Sequence, residues 1–401
     1  MIVVSGALLY QLYNRMPFVA TSRKTLALSE FMFPVICIAG WVSYGLLTVK
    51  PPHEIDRAAK PLLSVALVQE NSPTLFEANP QRNALSWQSY LTLTNQIRET
   101  NPELDLVIWP ESVFTADHPI LDLEPGCEVP SVWAAQGMDK LAMYNLSTEL
   151  AHQFKVKTEL VQQAVSSTFS SELKALPDND SSKPQSPHLI VGNDLLRVRK
   201  NQLERLNVAV WCNRDGKRAG YYAKRHLVMF GEYIPFGDWF PFLYSFLGMA
   251  PASSGDSSQT FDLGKGVQLA PTICFENVLP HLNRRAVVES KAAGRDPTVM
   301  INLTNDGWFR GSSILDHHLS CATLASVENR RPMLIAANTG LSAWIDGSGH
   351  RVAVTKRLSS GTIVARPYLD SRDGLWQTLG DWPWWIVAAA CWTLWCWPKS
   401  R

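Results

Sequence analysis

The sequence predicts an α/β fold, a layered sandwich tethered to a membrane by apolar segments near its two ends. Three observations carry this. Short β-rich runs bounded by turn residues recur between residues 62 and 365. Helical stretches separate several of them, as layered α/β architectures require. Uncharged segments of membrane-spanning length flank the whole region.

The strands are placed at 62–69 (LLSVALVQ), 104–109 (LDLVIW), 188–192 (HLIVG), 206–212 (LNVAVWC), 267–274 (VQLAPTIC), 298–303 (TVMINL) and 333–337 (MLIAA). Shorter ones follow at 342–346, 352–355 and 362–365, and helices are placed at 84–100, 281–294 and 316–331. The segment 115–187 reads differently. It carries Pro119, Pro125, Pro130, Pro177, Pro184 and Pro187, and a polar run around Asp178 and Asn179. We treat it as an insertion on the sandwich, helical in its middle (132–176) and a solvated loop over 177–187.

Residues 31–49 contain no charge over nineteen positions. At about 1.5 Å per residue, such a helix approaches the ~30 Å hydrocarbon thickness of a bilayer. No small-residue cleavage site precedes Lys50, so the segment reads as an uncleaved anchor. Residues 382–398 form a second candidate span, with Trp384 and Trp385 at one end and Trp395 and Trp397 at the other, as interfacial indoles prefer. Residues 1–13 read as the tail of a further membrane helix whose beginning is absent. Arg15, Arg23 and Lys24, with Lys399 and Arg401, place the cytoplasm at both outer flanks and the body of the chain on the opposite side.

Composition narrows the function. Thirty-seven basic residues balance 36 acidic ones, which excludes a polyelectrolyte partner as the main theme and argues against nucleic acid. The seven cysteines contain no CxxC pair, so neither a zinc module nor a disulfide framework is indicated. No glycine-rich phosphate loop is present, and no cofactor is implied. Asp316-His317-His318 is read as helix packing or capping and not as a metal site, because adjacent histidines on a helix diverge.

Three strand ends carry a candidate reactive group: Glu111 in LVIWPES, Lys224 in YYAKRHLVMFGEYIPFG and Cys274 in LAPTICFEN. A free thiol is mostly protonated at neutral pH. A neighbouring ammonium lowers its pKa, and a carboxylate can take its proton. The same ammonium can stabilise a tetrahedral oxyanion. Together they describe acyl transfer through a thioester.

These residues resemble the Glu-Lys-Cys triad of the carbon–nitrogen hydrolase (nitrilase) superfamily. The longer text, KRHLVMFGEYIPFGDW, ICFENVLP and INLTNDGWFRGSSILDHHLSCATLASVENRRPMLIAANTG in that order, is similar to its membrane branch, the apolipoprotein N-acyltransferase family. The resemblance covers about 62–367 outside 115–187, and implies a catalytic domain over 61–370 built as a four-layer αββα sandwich. It also implies a cofactor-free monomer on the outer face of a bacterial inner membrane. In that reading Cys274 takes an acyl chain from a phospholipid and passes it to the free amine of a diacylglyceryl-cysteine on a lipoprotein. Glu111 is then the general base, Lys224 stabilises the oxyanion and Glu232 orients Lys224; Asn207, Glu276 and Trp308 match positions lining the family's site. The chain departs from the family text at Phe275, Met229 and Asn277, and fewer apolar segments precede the domain than is usual. Two alternatives stay open: a membrane-anchored amidase that transfers to water, and an idle lipoprotein-binding relative.

Overall fold

A computed structural model of the chain describes residues 61–72, 79–115, 118–166, 186–237, 239–247 and 251–383, with scattered residues in 35–47 and 385–392. The chain divides into two units, 1–57 with 378–401, and 58–377. In the first, the described residues of 35–47 and 382–392 are helical, and Leu46, Leu47, Trp382, Trp385 and Trp392 are each more than two-thirds exposed. No helix among the described residues is long and apolar enough to cross a membrane. The expected segment 1–13 lies outside the described residues, and 31–49 and 382–398 lie largely outside them.

The second unit is built on two sheets. The first contains β1 (Val65–Gln69), β2 (Leu106–Ile108), β3 (Ile120–Leu123), β4 (His188–Arg199), β5 (Gln202–Cys212), β6 (Arg218–Ala223) and β13 (Gly361–Ala365), ordered β13-β1-β2-β4-β5-β6 with β3 beside β4. The second runs β12 (Arg351–Val354), β11 (Ala343–Ile345), β10 (Met333–Ala337), β9 (Val299–Thr304), β8 (Gln268–Ile273), β7 (Phe261–Asp262). Strands β1, β2 and β4 are mutually parallel, as are β8, β9 and β10.

Alternate residues explain why the central strands read as unbroken apolar runs. In β1, Val65 and Leu67 face the second sheet, in one core with Ile108, Ile190, Ile273, Ile301 and Leu334. Their neighbours Ala66 and Val68 face the other way, packing with Tyr90 and Ile97 of α1 (Pro80–Thr100) and Phe154 and Val161 of α3 (Lys140–Ser166). On the far side, Met300, Met333 and Ile335 pack on Val287 of α5 (Pro280–Ala292) and Leu319 and Ala322 of α6 (Ile314–Asn329). Each sheet is covered on both faces, the condition under which parallel strands lose their polar alternation. The layers are therefore helix, sheet, sheet, helix, and the expected αββα architecture is present. Short helices α2 (Ser131–Ala134), α4 (Phe242–Leu247) and α7 (Leu375–Leu379) complete the fold.

Two readings change. Strands β4 and β5 are one long hairpin, joined across Arg199 and Gln202, and not the two short runs at 188–192 and 206–212. Their outer halves are polar because ion pairs cover them: Arg197 meets Glu204 at 2.6 Å, Arg205 meets Asp194 at 3.2 Å and Arg199 meets Glu124 at 2.7 Å. Nor does 115–187 sit on the sandwich as an ornament. β3 extends the first sheet, and α3 supplies half of the helical layer above it. Lys157 of α3 also donates to the carbonyls of Phe114 and Thr115, tying the helix to the loop that follows β2. Most of 177–187 lies outside the described residues.

Candidate active site

Glu111, Lys224 and Cys274 each lie just past the C-terminal end of a strand, β2, β6 and β8 respectively. Because β6 is antiparallel to β5, and β5 to β4, β6 runs in the same sense as β2 and β4. Glu111 and Lys224 therefore emerge at one end of the first sheet, the place where α/β proteins commonly build sites.

The structure brings the carboxylates and the lysine together in a buried cluster. Lys224 is 1% exposed, and its Nζ lies 2.8 Å from Glu232 Oε1 and 3.5 Å from Glu111 Oε1. Asn207 Nδ2 donates to Glu111 Oε1 at 2.7 Å, and the Asn305 amide donates to Glu111 Oε2 at 2.8 Å. Glu232 Oε2 accepts from the Val228 amide at 2.8 Å, which closes the loop after Lys224 upon itself. The Lys224 backbone is gripped on both sides, its amide by Asn207 O and its carbonyl by the Gly255 amide.

Gly192 of β4 makes room for the Glu111 loop. A Cβ there would lie 2.4 Å from Glu111 Cα, 2.5 Å from Pro110 O and 2.5 Å from Ser112 N, all backbone atoms that cannot rotate aside. Gly192→Ala is therefore expected to lower stability by about 1–3 kcal/mol, the usual cost of overpacking, and to displace Glu111. Thermal melting and the alkylation rate of Cys274 check this. Wild-type values for both would show that the loop has another place to go.

Cys274 opens a 3₁₀ turn, Cys274–Val278, directly after β8, with φ of +52°. This left-handed conformation at a non-glycine residue is unfavourable and persists only where surrounding contacts hold it. Asn302 Nδ2 donates to the Cys274 carbonyl at 3.3 Å, and further contacts come from Glu276, which is fully buried. Its Oε2 accepts from the Ile273 amide at 2.8 Å, and its Oε1 from the amides of Arg225 and His226 at 2.6 and 3.0 Å. The Tyr222 hydroxyl donates to both oxygens at 2.9 Å. Glu276 thus stitches the residue before the cysteine to the two residues after the lysine. Its carboxylate oxygens are engaged inside this knot. Trp308, in the 3₁₀ turn Asp306–Phe309, is half exposed.

The electrostatics follow from burial and neighbouring charge. Burial pushes the Cys274 thiol well above the ordinary range and the Glu111 carboxylate adds to this; Lys224 pulls the other way without cancelling it. Burial likewise raises Glu111, against the pull of Lys224 and of the Asn207 and Asn305 hydrogen bonds. For Lys224, burial works downward, but the negative charges of Glu111 and Glu232 outweigh it and hold the ammonium protonated. The resting state is accordingly a neutral thiol beside a carboxylate and a fixed cation. A carboxylate with a raised pKa can accept a thiol proton, and the cation can meet negative charge on sulfur or on a substrate oxygen.

Their places after strands and the family resemblance of the flanking text marked Glu111, Lys224 and Cys274 as candidates, but not Asn305. It contributes a backbone amide, which any residue type supplies, so no side-chain signature marks it.

A family model described as carbon–nitrogen hydrolase matches residues 64–371. The apolipoprotein N-acyltransferase of Rhodopirellula baltica is 31% identical over 334 residues, 82% of this chain and 56% of the relative. The protein of the same name from Photobacterium profundum is 26% identical over 357 residues, 88% of this chain and 56% of the relative. The chain spans about half the length of these curated relatives. Among solved structures, Nit3 of Saccharomyces cerevisiae, a member of branch 10 of the nitrilase superfamily, is 17% identical with a TM-score of 0.46, over 77% of this chain and 90% of that one.

Proposed function

The chain belongs to the carbon–nitrogen hydrolase family, and from that premise we propose that it is an N-acyltransferase that moves a fatty acyl chain from a phospholipid to the N-terminal amine of a diacylglyceryl-cysteine on apolipoproteins. Glu111 takes the proton of the Cys274 thiol, and the sulfur attacks the sn-1 ester carbonyl. Lys224, oriented by Glu232, stabilises the oxyanion. Collapse expels the lysophospholipid alkoxide, which recovers the proton from Glu111 and leaves an acyl-thioester. The lipoprotein amine then attacks the thioester, gives a proton to Glu111, and forms the amide as the Cys274 thiol is restored.

The observation that carries transfer between lipids, over hydrolysis of a small amide, is the apolar rim that continues from the lysine loop. Met229, Phe230, Phe236, Trp239, Phe242 and Phe246 are each at least half exposed. The rim is joined to the site through Glu232, and the Ile234 amide donates to the Tyr244 hydroxyl at 3.3 Å. An exposed apolar patch of this kind marks contact with a partner or a membrane. The exposed Leu46, Leu47 and Trp385 of the other unit belong to the segments read as anchors, which would hold the domain at the outer face of the inner membrane. Both substrates carry acyl chains that leave a bilayer only at high cost, so an anchored enzyme meets them where they reside.

Intact mass of detergent-purified protein incubated with phospholipid tests the proposal. A hydroxylamine-labile gain of one acyl chain is expected on the wild type and not on Cys274→Ser. Adding a diacylglyceryl lipopeptide is expected to discharge it as an amide. Discharge to free fatty acid alone would identify a hydrolase, and no mass gain at long times would identify an idle relative.

A further inference from the structure

We propose that Asn338 is a positioning residue for the Glu111 carboxylate, acting through Asn305. Asn338 follows β10 and is 3% exposed. Its side chain uses both ends. Oδ1 accepts from the Ser72 amide at 3.0 Å and from the Tyr90 hydroxyl at 3.1 Å. Nδ2 donates to Ser72 O at 2.9 Å and to Asn305 Oδ1 at 3.2 Å. The backbone repeats the pattern: the Asn338 amide donates to Thr304 O at 3.1 Å, and its carbonyl accepts from the Asn71 amide at 3.0 Å. One residue therefore joins the loop after β1, helix α1 and the turn after β9.

The turn after β9 is the one that matters chemically. Asn305 sits at its start and donates its amide to Glu111 Oε2. Glu111 Oε1 is already engaged by Asn207 and Lys224, so the Asn305 amide sets the rotation of the carboxylate about its own axis. That rotation decides which lone pair faces the thiol. Within its own turn, Asn305 is held by its side chain's long contact to the Gly307 amide at 3.4 Å. It is steadied by the Asn338 contacts on Thr304 O and Asn305 Oδ1, and Asn338 is in turn anchored by Tyr90, which is fully buried with its ring centroid 5.0 Å from that of Trp109, two residues before Glu111. Tyr90 and Asn338 are 248 residues apart in the chain, and Asn305 and Glu111 are 194 apart.

The inference rests on Glu111 acting as the base for Cys274, and its test needs no lipid. Alkylation of Cys274 by iodoacetamide is followed against pH by mass spectrometry for the wild type, Asn338→Ala, Asn305→Ala and the double variant, with thermal melting alongside. Asn305→Ala keeps the backbone donor and loses the tether to Asn338 together with the long Oδ1 contact to the Gly307 amide at 3.4 Å. Slackening that donor weakens a hydrogen bond to the charged carboxylate, which raises the pKa of Glu111 and moves the acid limb of the profile to higher pH, by about half a unit or more. The rate at pH 7 is expected to fall about tenfold in each single variant, and no further in the double, because both act on one contact. An acid limb that stays at the wild-type position in Asn305→Ala would overturn the proposal, as would effects that multiply in the double variant. If Asn338→Ala does not fold, Asn305→Ala alone decides. Normal alkylation in a protein that never forms an acyl-enzyme would count against the transferase reading and leave the positioning role standing.

Discussion

Glu111→Gln is expected to slow acyl-enzyme formation by about 10²–10⁴, the contribution usual for a positioned general base. The expectation follows from the state of the thiol. Burial and the nearby carboxylate hold Cys274 protonated, and Lys224 alone does not bring it down. A proton acceptor is therefore required at neutral pH, and Glu111 is the carboxylate whose charge acts on the thiol, while Glu232 lies against Lys224. Glutamine preserves the size of the side chain and a carbonyl to accept from Asn207 or Asn305, so the fold is expected to survive. The pH dependence separates loss of the base from loss of structure. In the wild type, the alkylation rate of Cys274 rises as Glu111 deprotonates, from a carboxylate whose pKa lies above its ordinary value. In Glu111→Gln that limb is expected to vanish, leaving only a rise at alkaline pH as the thiol itself ionises. A variant that keeps the acid limb and wild-type acylation would remove Glu111 from the chemistry.

Glu276→Gln is expected to lower stability by about 2–5 kcal/mol and to inactivate the protein, although this residue touches no substrate in the proposed mechanism. Its two oxygens accept from three backbone amides and one phenol, all within the hydrogen-bonded knot between β6 and β8. An amide offers one oxygen and adds two donors, so at least one buried N–H faces another donor. Each buried polar group left unpaired costs about 1–3 kcal/mol. The damage would spread in two directions at once, through Ile273 to the strained backbone of Cys274 and through Arg225 and His226 to Lys224. The midpoint of urea unfolding reads the stability, and alkylation of the folded fraction reads the site. An unchanged midpoint would mean that water replaces the lost acceptor, and the knot would then not be what holds φ of Cys274 positive.

Much of this protein was readable from local pattern. Runs such as VALVQ and MLIAA declare themselves as strands because each is buried on both faces, and burial favours the same β-branched and aliphatic residues in either direction. The helix at 80–100 begins where Asn79 caps the Arg82 amide, a signal contained within four residues. Glu111, Lys224 and Cys274 stand out because each follows a strand and each belongs to a short block of recognisable text. Charge balance, the cysteine pattern and the apolar flanks are properties of composition, and they excluded whole classes of function before any contact was known.

Other features exist only once the chain has folded. Arg197, Glu204, Arg205 and Asp194 made one long hairpin read as two short strands, because the charges that interrupt the apolar pattern are neutralised by partners across the hairpin. The helix Lys140–Ser166 belongs to the layer above the first sheet, a role settled by what Phe154 and Val161 touch and not by their spacing. Glu276 stands two residues after Cys274 in sequence, yet it serves the backbone at the ends of two strands. Asn338 and Tyr90 carry no motif that links them to Glu111. A local signal can record how a residue sits in its own helix or strand, since that geometry repeats every few residues. The placing of a carboxylate by a hydrogen bond from 194 residues away depends on where two distant turns come to rest, and only the packed sheets decide that.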